Sequence, residues 1–367
     1  MKIKQIEIFK LRIKLIEPFR ISLGTWEYAE NIIVVIRTDE GITGFGECSP
    51  FAPINGENID TCLIVGKGIA GILKGRDPLN IEECSLAIDA FIYGNSSIKS
   101  AFDIALYDIA SQNAHQPLYI FLGGKNDKEI ITDYTVSIGE PHKMAADARK
   151  IQEQGFQVIK VKLGGTKEED IERVRAIRVA IGKDLPIRID ANQGWKSISA
   201  AEILNALSEF NIQYCEEPIP RWDFMQLPGI RKESLIPIMA DECCSDHHDV
   251  QRLIDLKACD YFNIKLGKSS GIYKALKMIK LAEQGGIKIQ MGGFMESRLG
   301  FTAAAHLALS SENIIYYDFD TPLMFMEDPV NGGIRYDVGG KVNIPNGIGL
   351  GAGIDEGYWK EEKLVIN

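Results

Sequence analysis

The sequence predicts an α/β fold: a barrel of eight parallel strands joined by helices, with an α+β unit in front. Three observations support this prediction. Eight short apolar runs recur every 25 to 30 residues after about position 130, with helical, charged segments between them. The runs are almost continuously hydrophobic, which is typical of parallel strands covered by helices on both faces. Strands followed by helices precede the repeats, and a Pro/Gly-rich tail follows them.

The first unit is expected to carry its strands before its helices. Apolar and charged residues alternate over 2–14, an apolar β-branched run covers 31–37, and Asp-Glu-Gly at 39–41 indicates a turn. These features predict antiparallel strands up to about residue 55. Apolar residues then recur at helical spacing over 57–122, ending at Gly123-Gly124. Segregated strands and helices are typical of an α+β unit.

The eight apolar runs predict the eight barrel strands. No GxGxxG motif follows any of these runs, and the last run leads directly into the tail 321–367 without another helix. An open doubly wound sheet is therefore the weaker alternative. The predicted strands are 132–139, 158–163, 187–192, 214–219, 237–242, 261–267, 288–294 and 315–320.

Composition and charge exclude several classes of function. The 367 residues contain 41 Lys and Arg against 51 Asp and Glu, a net charge of −10, which disfavours binding to nucleic acid. No apolar stretch approaches the roughly 18 residues that a membrane span needs. The N-terminal segment alternates apolar and charged residues instead of showing a signal sequence, so we expect a cytoplasmic protein.

Ionisable residues recur at the carboxyl ends of the predicted strands, the end at which barrels of this type carry their active sites. Asp190, Glu216 and Asp241 end three consecutive strands and are expected to converge on one side of the barrel mouth. An all-oxygen set of carboxylates with no His or Cys nearby favours Mg²⁺.

Three lysines share this mouth. Lys160 and Lys162 are two residues apart on one predicted strand, so both point to the same side, and Lys265 lies four strands away across the barrel. The neighbouring ammonium group and a divalent cation are expected to lower the pKa of such a lysine toward neutrality. A carbon acid held between Lys162 and Lys265 would face a base on each side, and a metal would stabilise the enediolate formed by loss of its α proton.

These motifs resemble the enolase superfamily, specifically dipeptide epimerases of the muconate lactonizing enzyme subgroup that are related to L-Ala-D/L-Glu epimerase. The resemblance covers nearly the whole chain and implies a (β/α)7β TIM-like barrel with an α+β capping domain. It implies a capping domain at 1–124, a barrel at 125–320 and a C-terminal segment at 321–367 that returns to the capping domain. The matching segments are GFGECSP (44–50), SAFDIALYDIA (100–110), PLYIFLGG (117–124), KVKLG (160–164), DANQGW (190–195), CEEP (215–218), ADE (240–242), NIKLGKSSG (263–271), MESRLG (295–300) and DFDTPLM (318–324).

By position, the resemblance assigns a role to each residue of the mouth. It implies that Asp190, Glu216 and Asp241 bind Mg²⁺, that Lys162 and Lys265 are the acid/base catalysts, and that Lys160 faces the substrate carboxylate. The DxD pair Asp318 and Asp320 marks dipeptide epimerases, in which it holds the substrate ammonium group. Glu217 is not counted as a ligand. The implied reaction is Mg²⁺-dependent inversion of the α-carbon of the second residue by 1,1-proton transfer.

The specificity loop departs from the glutamate-specific pattern. Such relatives carry an Arg after the Pro-Phe pair, whereas Gly24 occupies that slot here. With Phe19 and Trp26 in the same segment, we predict a preference for small or hydrophobic dipeptides such as Ala-Ala. Arg20 could replace the missing cation, and Glu27 could favour a basic side chain.

Other functions stay open on the sequence alone. The same metal and lysines can run cycloisomerisation or o-succinylbenzoate synthase-type β-elimination, although those substrates have no ammonium group for the DxD pair. A Schiff-base aldolase would use a lysine without metal, and a barrel that only binds dipeptides is the non-enzymatic alternative. A homo-oligomer is expected.

Overall fold

The computed structural model describes residues 1–360 and 363–367. Their strands are β1 (Ile3–Ile21), β2 (Gly24–Thr38), β3 (Thr43–Cys48), β4 (Ile130–Ile131), β5 (Tyr134–Val136), β6 (Ile159–Lys162), β7 (Ile187–Asp190), β8 (Ile212–Glu216), β9 (Ile238–Ala240), β10 (Tyr261–Lys265), β11 (Lys288–Gly292), β12 (Ile314–Tyr317), β13 (Val330–Gly332), β14 (Arg335–Tyr336), β15 (Lys341–Asn343), β16 (Ala352–Ile354) and β17 (Lys363–Ile366). Their α-helices are α1 (Ala52–Asn55), α2 (Ile59–Leu73), α3 (Ile81–Phe91), α4 (Ser96–Asn113), α5 (Leu118–Phe121), α6 (Pro141–Glu153), α7 (Lys167–Ile181), α8 (Ser197–Leu207), α9 (Leu227–Glu233), α10 (His247–Leu256), α11 (Leu266–Ser269), α12 (Ile272–Gly285) and α13 (Arg298–Ala308).

The N-terminal region is an antiparallel sheet packed against helices, as the sequence predicts. Its strand order is β17-β1-β2-β3, and α4 packs along β3 and β2. Every residue from 97 to 111 of α4 is buried, because this helix lies between the sheet and the barrel. Short 3-10 helices at 208–210, 221–226, 321–324, 338–340 and 356–360 complete the described elements.

The barrel sheet runs in the order β12-β11-β10-β9-β8-β7-β6-β5 within the described part of the chain, and its neighbouring strands are parallel. The sheet curls until its ends meet, since the backbone N–H of Asp133 donates to the carbonyl of Tyr317 at 3.3 Å. Each predicted barrel strand therefore exists, and the predicted α/β barrel with a capping domain is confirmed. Helices follow β5 to β11, and β12 leads into the tail.

Strand burial explains why these segments form a barrel. All residues of β6 and β7 are buried, since alternate side chains face the helices and the barrel interior. The residues facing inward include charged ones, such as Lys160 and Arg188, and these must find partners inside the barrel.

The tail contacts both earlier regions. Its last strand, β17, pairs with β1 of the capping sheet, while β15 pairs with β4 just before the barrel. No sequence pattern predicted β4, which is only two residues long. We keep the division at 124 and 320 as a proposal, which the β17–β1 pairing supports.

Candidate active site

Asp190, Glu216 and Asp241 lie side by side at the carboxyl ends of consecutive strands. Asp190 ends β7 and is in register with Glu216 at the end of β8, and Asp241 directly follows β9. All three side chains are fully buried. The three acids therefore lie at neighbouring strand ends as expected, although their oxygens do not all lie within 4.8 Å of one another, as those of Asp133, Asp318 and Asp320 do. Buried carboxylates require cations for their stability, and the role of Asp190, Glu216 and Asp241 as metal ligands stays a prediction.

Lysine ammonium groups supply positive charge to these acids. Lys162 Nζ lies 2.6 Å from Asp190 Oδ2. Lys265 Nζ lies 2.7 Å from Asp241 Oδ2, at an angle that makes no hydrogen bond. Lys160 Nζ lies 2.9 Å from Glu216 Oε2 and 3.4 Å from Asp190 Oδ2.

Lys160 also lies between these acids and a second group of carboxylates. Its Nζ lies 2.7 Å from Asp318 Oδ2, and Asp318 belongs to a cluster with Asp133 and Asp320 in which oxygen atoms lie within 4.8 Å of one another. Arg188 pairs with Asp133 at 2.8 Å, and the backbone N–H of Thr135 donates to Asp320 at 2.6 Å. The mouth thus contains two neighbouring groups of carboxylates with Lys160 between them.

Both groups offer oxygen ligands of the kind that Mg²⁺ prefers. Near the first group, Asp241 Oδ2, Glu242 Oε2 and Asn192 Oδ1 are buried without a hydrogen-bond donor. In the second, one oxygen of Asp133 is likewise without a donor. Buried acceptors without donors are costly, so a hard cation fits this mouth.

The carboxylates of the mouth favour the charged form of Lys160 and Lys265. Burial disfavours the ammonium form of Lys265, but the carboxylates of Asp241 and Glu216 outweigh burial and raise its pKa. The same balance, dominated after burial by Asp318 and Glu216, raises the pKa of Lys160. Acids therefore outweigh amines around Lys160 and Lys265, and the lowered pKa expected for a lysine of the KxK pair beside a divalent cation stays a prediction.

The two carboxyl groups of the DxD pair have pKa values shifted in opposite directions. Burial works against the carboxylate of Asp318, yet Lys160 and Lys162 lower its pKa to about 2. Burial and the charge of Asp318 raise the pKa of Asp320 to about 7. The two carboxylates sit at the same cavity but differ in their affinity for a proton.

One cavity brings the predicted catalytic and DxD residues together. Lys162 and Lys265 reach it from β6 and β10, which are four strands apart in the eight-stranded order that the described residues form. The lining consists of Phe19, Ile21, Phe51, Ile54, Thr135, Lys162, Asn192, Lys265, Gly293, Phe294, Met295, Asp318, Asp320 and Thr321.

The predicted specificity loop is a β-hairpin that closes over this cavity. Ile21 pairs with Gly24, so β1 and β2 continue to the turn, and Phe19 reaches the lining, where its ring centroid lies 5.9 Å from Lys162 Nζ. The Trp26 ring packs against the ring of Phe51, a lining residue, with 4.5 Å between the ring centroids. Gly24 has φ +150°, and a Cβ there would lie 3.0 Å from the Trp26 ring, so this turn favours glycine.

The comparisons with known proteins cover both regions. The model of the mandelate racemase / muconate lactonizing enzyme N-terminal domain matches residues 3–123, and the enolase C-terminal domain-like model matches 143–358. The chain belongs to the mandelate racemase / muconate lactonizing enzyme family of the enolase superfamily. The resemblance inferred from the sequence motifs is confirmed.

Members of this family with assigned activities resemble the chain over nearly its full length. D-Ala-D/L-Ala epimerase of Cytophaga hutchinsonii is 57% identical over 100% of both chains. L-Ala-D/L-Glu epimerase of Bacillus subtilis is 38% identical over 96% of both chains. The crystal structure of dipeptide epimerase from Cytophaga hutchinsonii complexed with Mg and D-Ala-L-Val superimposes with a TM-score of 0.99, at 57% identity and full coverage of both chains.

Sequence reasoning missed two residues of the mouth in this family member. Asp133 lies two residues before Thr135, so period-2 alternation in the predicted strand 132–139 could have placed both inside the barrel. Lys268 follows Lys265 by three residues, and its Nζ contacts Asp241. Its three-residue spacing from Lys265, typical of one helical turn, was the only sequence signal for Lys268.

None of the helices in residues 1–360 or 363–367 is both long and apolar enough to cross a membrane.

Proposed function

We propose that this protein is a Mg²⁺-dependent dipeptide epimerase, an isomerase that inverts the α-carbon of the second residue by two-base 1,1-proton transfer. Its preferred substrates are small or hydrophobic dipeptides such as Ala-Ala. The observation that supports this most strongly is the approach of Lys162 and Lys265 to one cavity from strands four apart. The epimerase relatives support the same reaction.

We assign the metal to Asp190, Glu216 and Asp241. These carboxylates are fully buried at the ends of consecutive strands. Asp190 and Asp241 contact the lysines proposed as bases, and Glu216 contacts Lys160. When bound, Mg²⁺ would hold the substrate carboxylate and offset the negative charge that develops as the α proton leaves. A cation there would also offset the carboxylate charge that raises the pKa of Lys265.

The lysines divide the proton transfer between two faces of the α-carbon. In one direction the neutral amine of Lys162 accepts the α proton, and the ammonium group of Lys265 donates a proton to the opposite face. The reverse reaction exchanges these roles. Lys160 stays charged because Glu216 and Asp318 contact its Nζ, and it stabilises the substrate carboxylate electrostatically.

Asp318 and Asp320 are proposed to bind the substrate ammonium group. With Asp133 they provide three negative charges when ionised, against the positive charges of Lys160 and Arg188. Because Lys160 is shared with Glu216, these three acids lack positive charge, which a substrate ammonium group would supply. This requirement for a free amine disfavours cycloisomerisation and o-succinylbenzoate synthase-type elimination.

The apolar lining supports the substrate preference. Phe51, Ile54, Phe294 and Met295 surround the space between the lysines and the hairpin. Arg20 is exposed, and its Nε donates to Thr25 Oγ1 at 3.3 Å, so it does not line the cavity. Glu27 is also exposed and outside the lining.

Initial rates with Ala-Ala, Ala-Glu and Ala-Lys, each tried with either configuration at the first residue, test the substrate preference. We expect Ala-Ala to have the highest kcat/KM. A large advantage for Ala-Glu would instead favour the alternative L-Ala-D/L-Glu epimerase, and a large advantage for Ala-Lys would assign a role to Glu27.

Exchange of the α proton in D₂O, followed by NMR with Mg²⁺ present, tests the two-base assignment. Lys265→Ala should abolish exchange from one configuration of the second residue more than from the other, and Lys162→Ala should show the opposite bias. Lys274→Ala is the control, since Lys274 pairs with Asp89 outside the cavity. Equal exchange from both configurations in both active-site variants would contradict the assignment.

Cytoplasmic location and homo-oligomeric assembly stay predictions from the sequence.

A further inference from the structure

Lys268 is a buried cation that the proposed reaction does not use. It lies on α11, directly after β10, and is 4% exposed. Its Nζ donates to the carboxylate Oδ1 and the backbone carbonyl of Asp241, to the carbonyl of Cys244 at 3.2 Å and to the carbonyl of Asn263 at 3.0 Å. Four oxygens surround an ammonium group that has three hydrogens, so it has none left for a substrate.

Lys265 and Lys268 contact different oxygens of the Asp241 carboxylate. Lys268 Nζ donates a hydrogen bond to Asp241 Oδ1, whereas Lys265 Nζ lies 2.7 Å from Asp241 Oδ2 without hydrogen-bond geometry. Lys265 also lines the cavity, whereas Lys268 does not. The backbone carbonyls around Lys268 belong to β10, at Asn263, and to the segment that follows β9, at Asp241 and Cys244, and they cannot follow a moving side chain.

Lys268 is also linked to the carboxylate of Glu216, through Asn263. The carbonyl of Asn263 accepts from Lys268, and the side chain of Asn263 donates to Glu216 Oε1 at 2.9 Å. A single ammonium group therefore ties the end of β9 to β10, and through Asn263 to the end of β8.

We propose that Lys268 is a positioning residue that fixes Asp241 Oδ1, and thereby directs Oδ2 toward the metal. This inference rests on the proposed function, in which Asp241 is a Mg²⁺ ligand. Two effects oppose each other here. The charge of Lys268 repels a divalent cation, while its hydrogen bonds hold the ligand in place. Outer partners of metal ligands contribute about 10- to 100-fold to metal affinity, so orientation outweighs repulsion.

The test is the dissociation constant of Mn²⁺, measured by electron paramagnetic resonance without substrate, in Lys268→Met. The expected result is binding 10- to 100-fold weaker. Lys99→Met is the matched control, because Lys99 is equally buried and donates to the carbonyl of Ile92 and to Asp89 in the capping domain. It should change the dissociation constant less than twofold. Unchanged or tighter binding in Lys268→Met overturns the proposal, and tighter binding would make Lys268 a repelling charge.

Two further variants keep the outcomes distinct. If Lys268→Met does not fold, Lys268→Gln replaces it; weaker binding supports the proposal and unchanged binding overturns it. Asp241→Asn tests the underlying ligand assignment and should abolish tight Mn²⁺ binding. If Asp241→Asn binds as the unmodified protein does, the assigned metal site is wrong. If it loses binding while Lys268→Met keeps it, only the positioning role is wrong.

Discussion

The barrel mouth and the interface between the capping domain and the barrel both bury carboxylates, but with different partners. In the mouth, Asp190 and Glu216 face lysine ammonium groups. At the interface, Glu47 of β3 accepts from the backbone N–H groups of Ser297 and Gly300, at 2.9 and 2.8 Å, where α13 begins. Asp103 of α4 accepts in the same way from Ile272 and Tyr273 at the start of α12.

This difference separates carboxylates that can change partners from those that cannot. Backbone N–H groups at a helix start are fixed by the helix, and its dipole favours a negative charge there. Lysine side chains can rotate away. The interface acids therefore hold the capping domain against helices that follow β10 and β11, while the mouth acids can exchange an ammonium group for a metal or a substrate.

The largest effect is expected from Glu216→Gln in the mouth. Loss of one metal ligand should lower kcat/KM by about 10³-fold or more, since metal stabilisation of the transition state is worth several kcal/mol. Calorimetric titration should show weakened Mg²⁺ binding. Glu47→Gln makes the same chemical change at the interface and should leave the Mg²⁺ dissociation constant unaltered. A similar loss of Mg²⁺ affinity in both variants would contradict the distinction between the mouth carboxylates and the interface carboxylates.

Asp320→Asn should act on substrate binding. The amide oxygen can still accept from Thr135, so the fold is expected to persist. A hydrogen-bonded charge contributes about 1.5–3 kcal/mol, which predicts a KM about 10- to 100-fold higher for dipeptides with a free amine. The N-acetylated dipeptide is the control substrate, and an equal rise in its KM would argue against an ammonium site.

His306 predicts a pH dependence of stability at the interface. Its Nδ1 lies 3.2 Å from the Tyr119 backbone N–H and its Nε2 lies 3.0 Å from the Leu350 carbonyl, so the neutral ring satisfies both. Burial lowers its pKa from 6.5 to about 4. As pH falls through 6.5 the unfolded chain takes up the proton first, so stability is lost between pH 6.5 and 4.

The expected loss is on the order of 3 kcal/mol in the free energy of unfolding. Urea denaturation at several pH values measures it, and His306→Asn should show a flatter pH dependence over this window. An unchanged slope in the variant would assign the acid sensitivity to other groups.

The smallest effect is expected for the stability of Glu47→Gln. The amide nitrogen cannot accept from the backbone N–H groups of α13, and one unsatisfied buried donor costs about 1–3 kcal/mol. Thermal unfolding of the metal-loaded enzyme measures this loss. Glu47→Asp, which keeps the charge on a shorter side chain, should recover part of it. If Glu47→Gln is fully stable, the backbone-capping role of this residue is wrong.

Much of the architecture was predictable because burial imposes a pattern on the chain. The eight apolar runs predicted eight parallel strands, and their polar ends predicted where Asp190, Glu216 and Asp241 meet. Short β4 and the pairing of β17 with β1 lacked such a pattern, because two or four residues carry no readable periodicity. The positive φ of Gly24 likewise became clear only when the hairpin turn was seen.

The residue pattern alone was enough to identify the barrel strands, and with them the acids and amines that reach the barrel mouth, since periodicity sets which side chains face inward. The partners of these acids and amines became clear only from the folded chain. Lys160 lies between two groups of carboxylates, Lys268 holds Asp241 through backbone carbonyls, and Glu47 caps a helix 250 residues away along the chain. Such contacts depend on distances across the fold, and local sequence does not encode distance between strands.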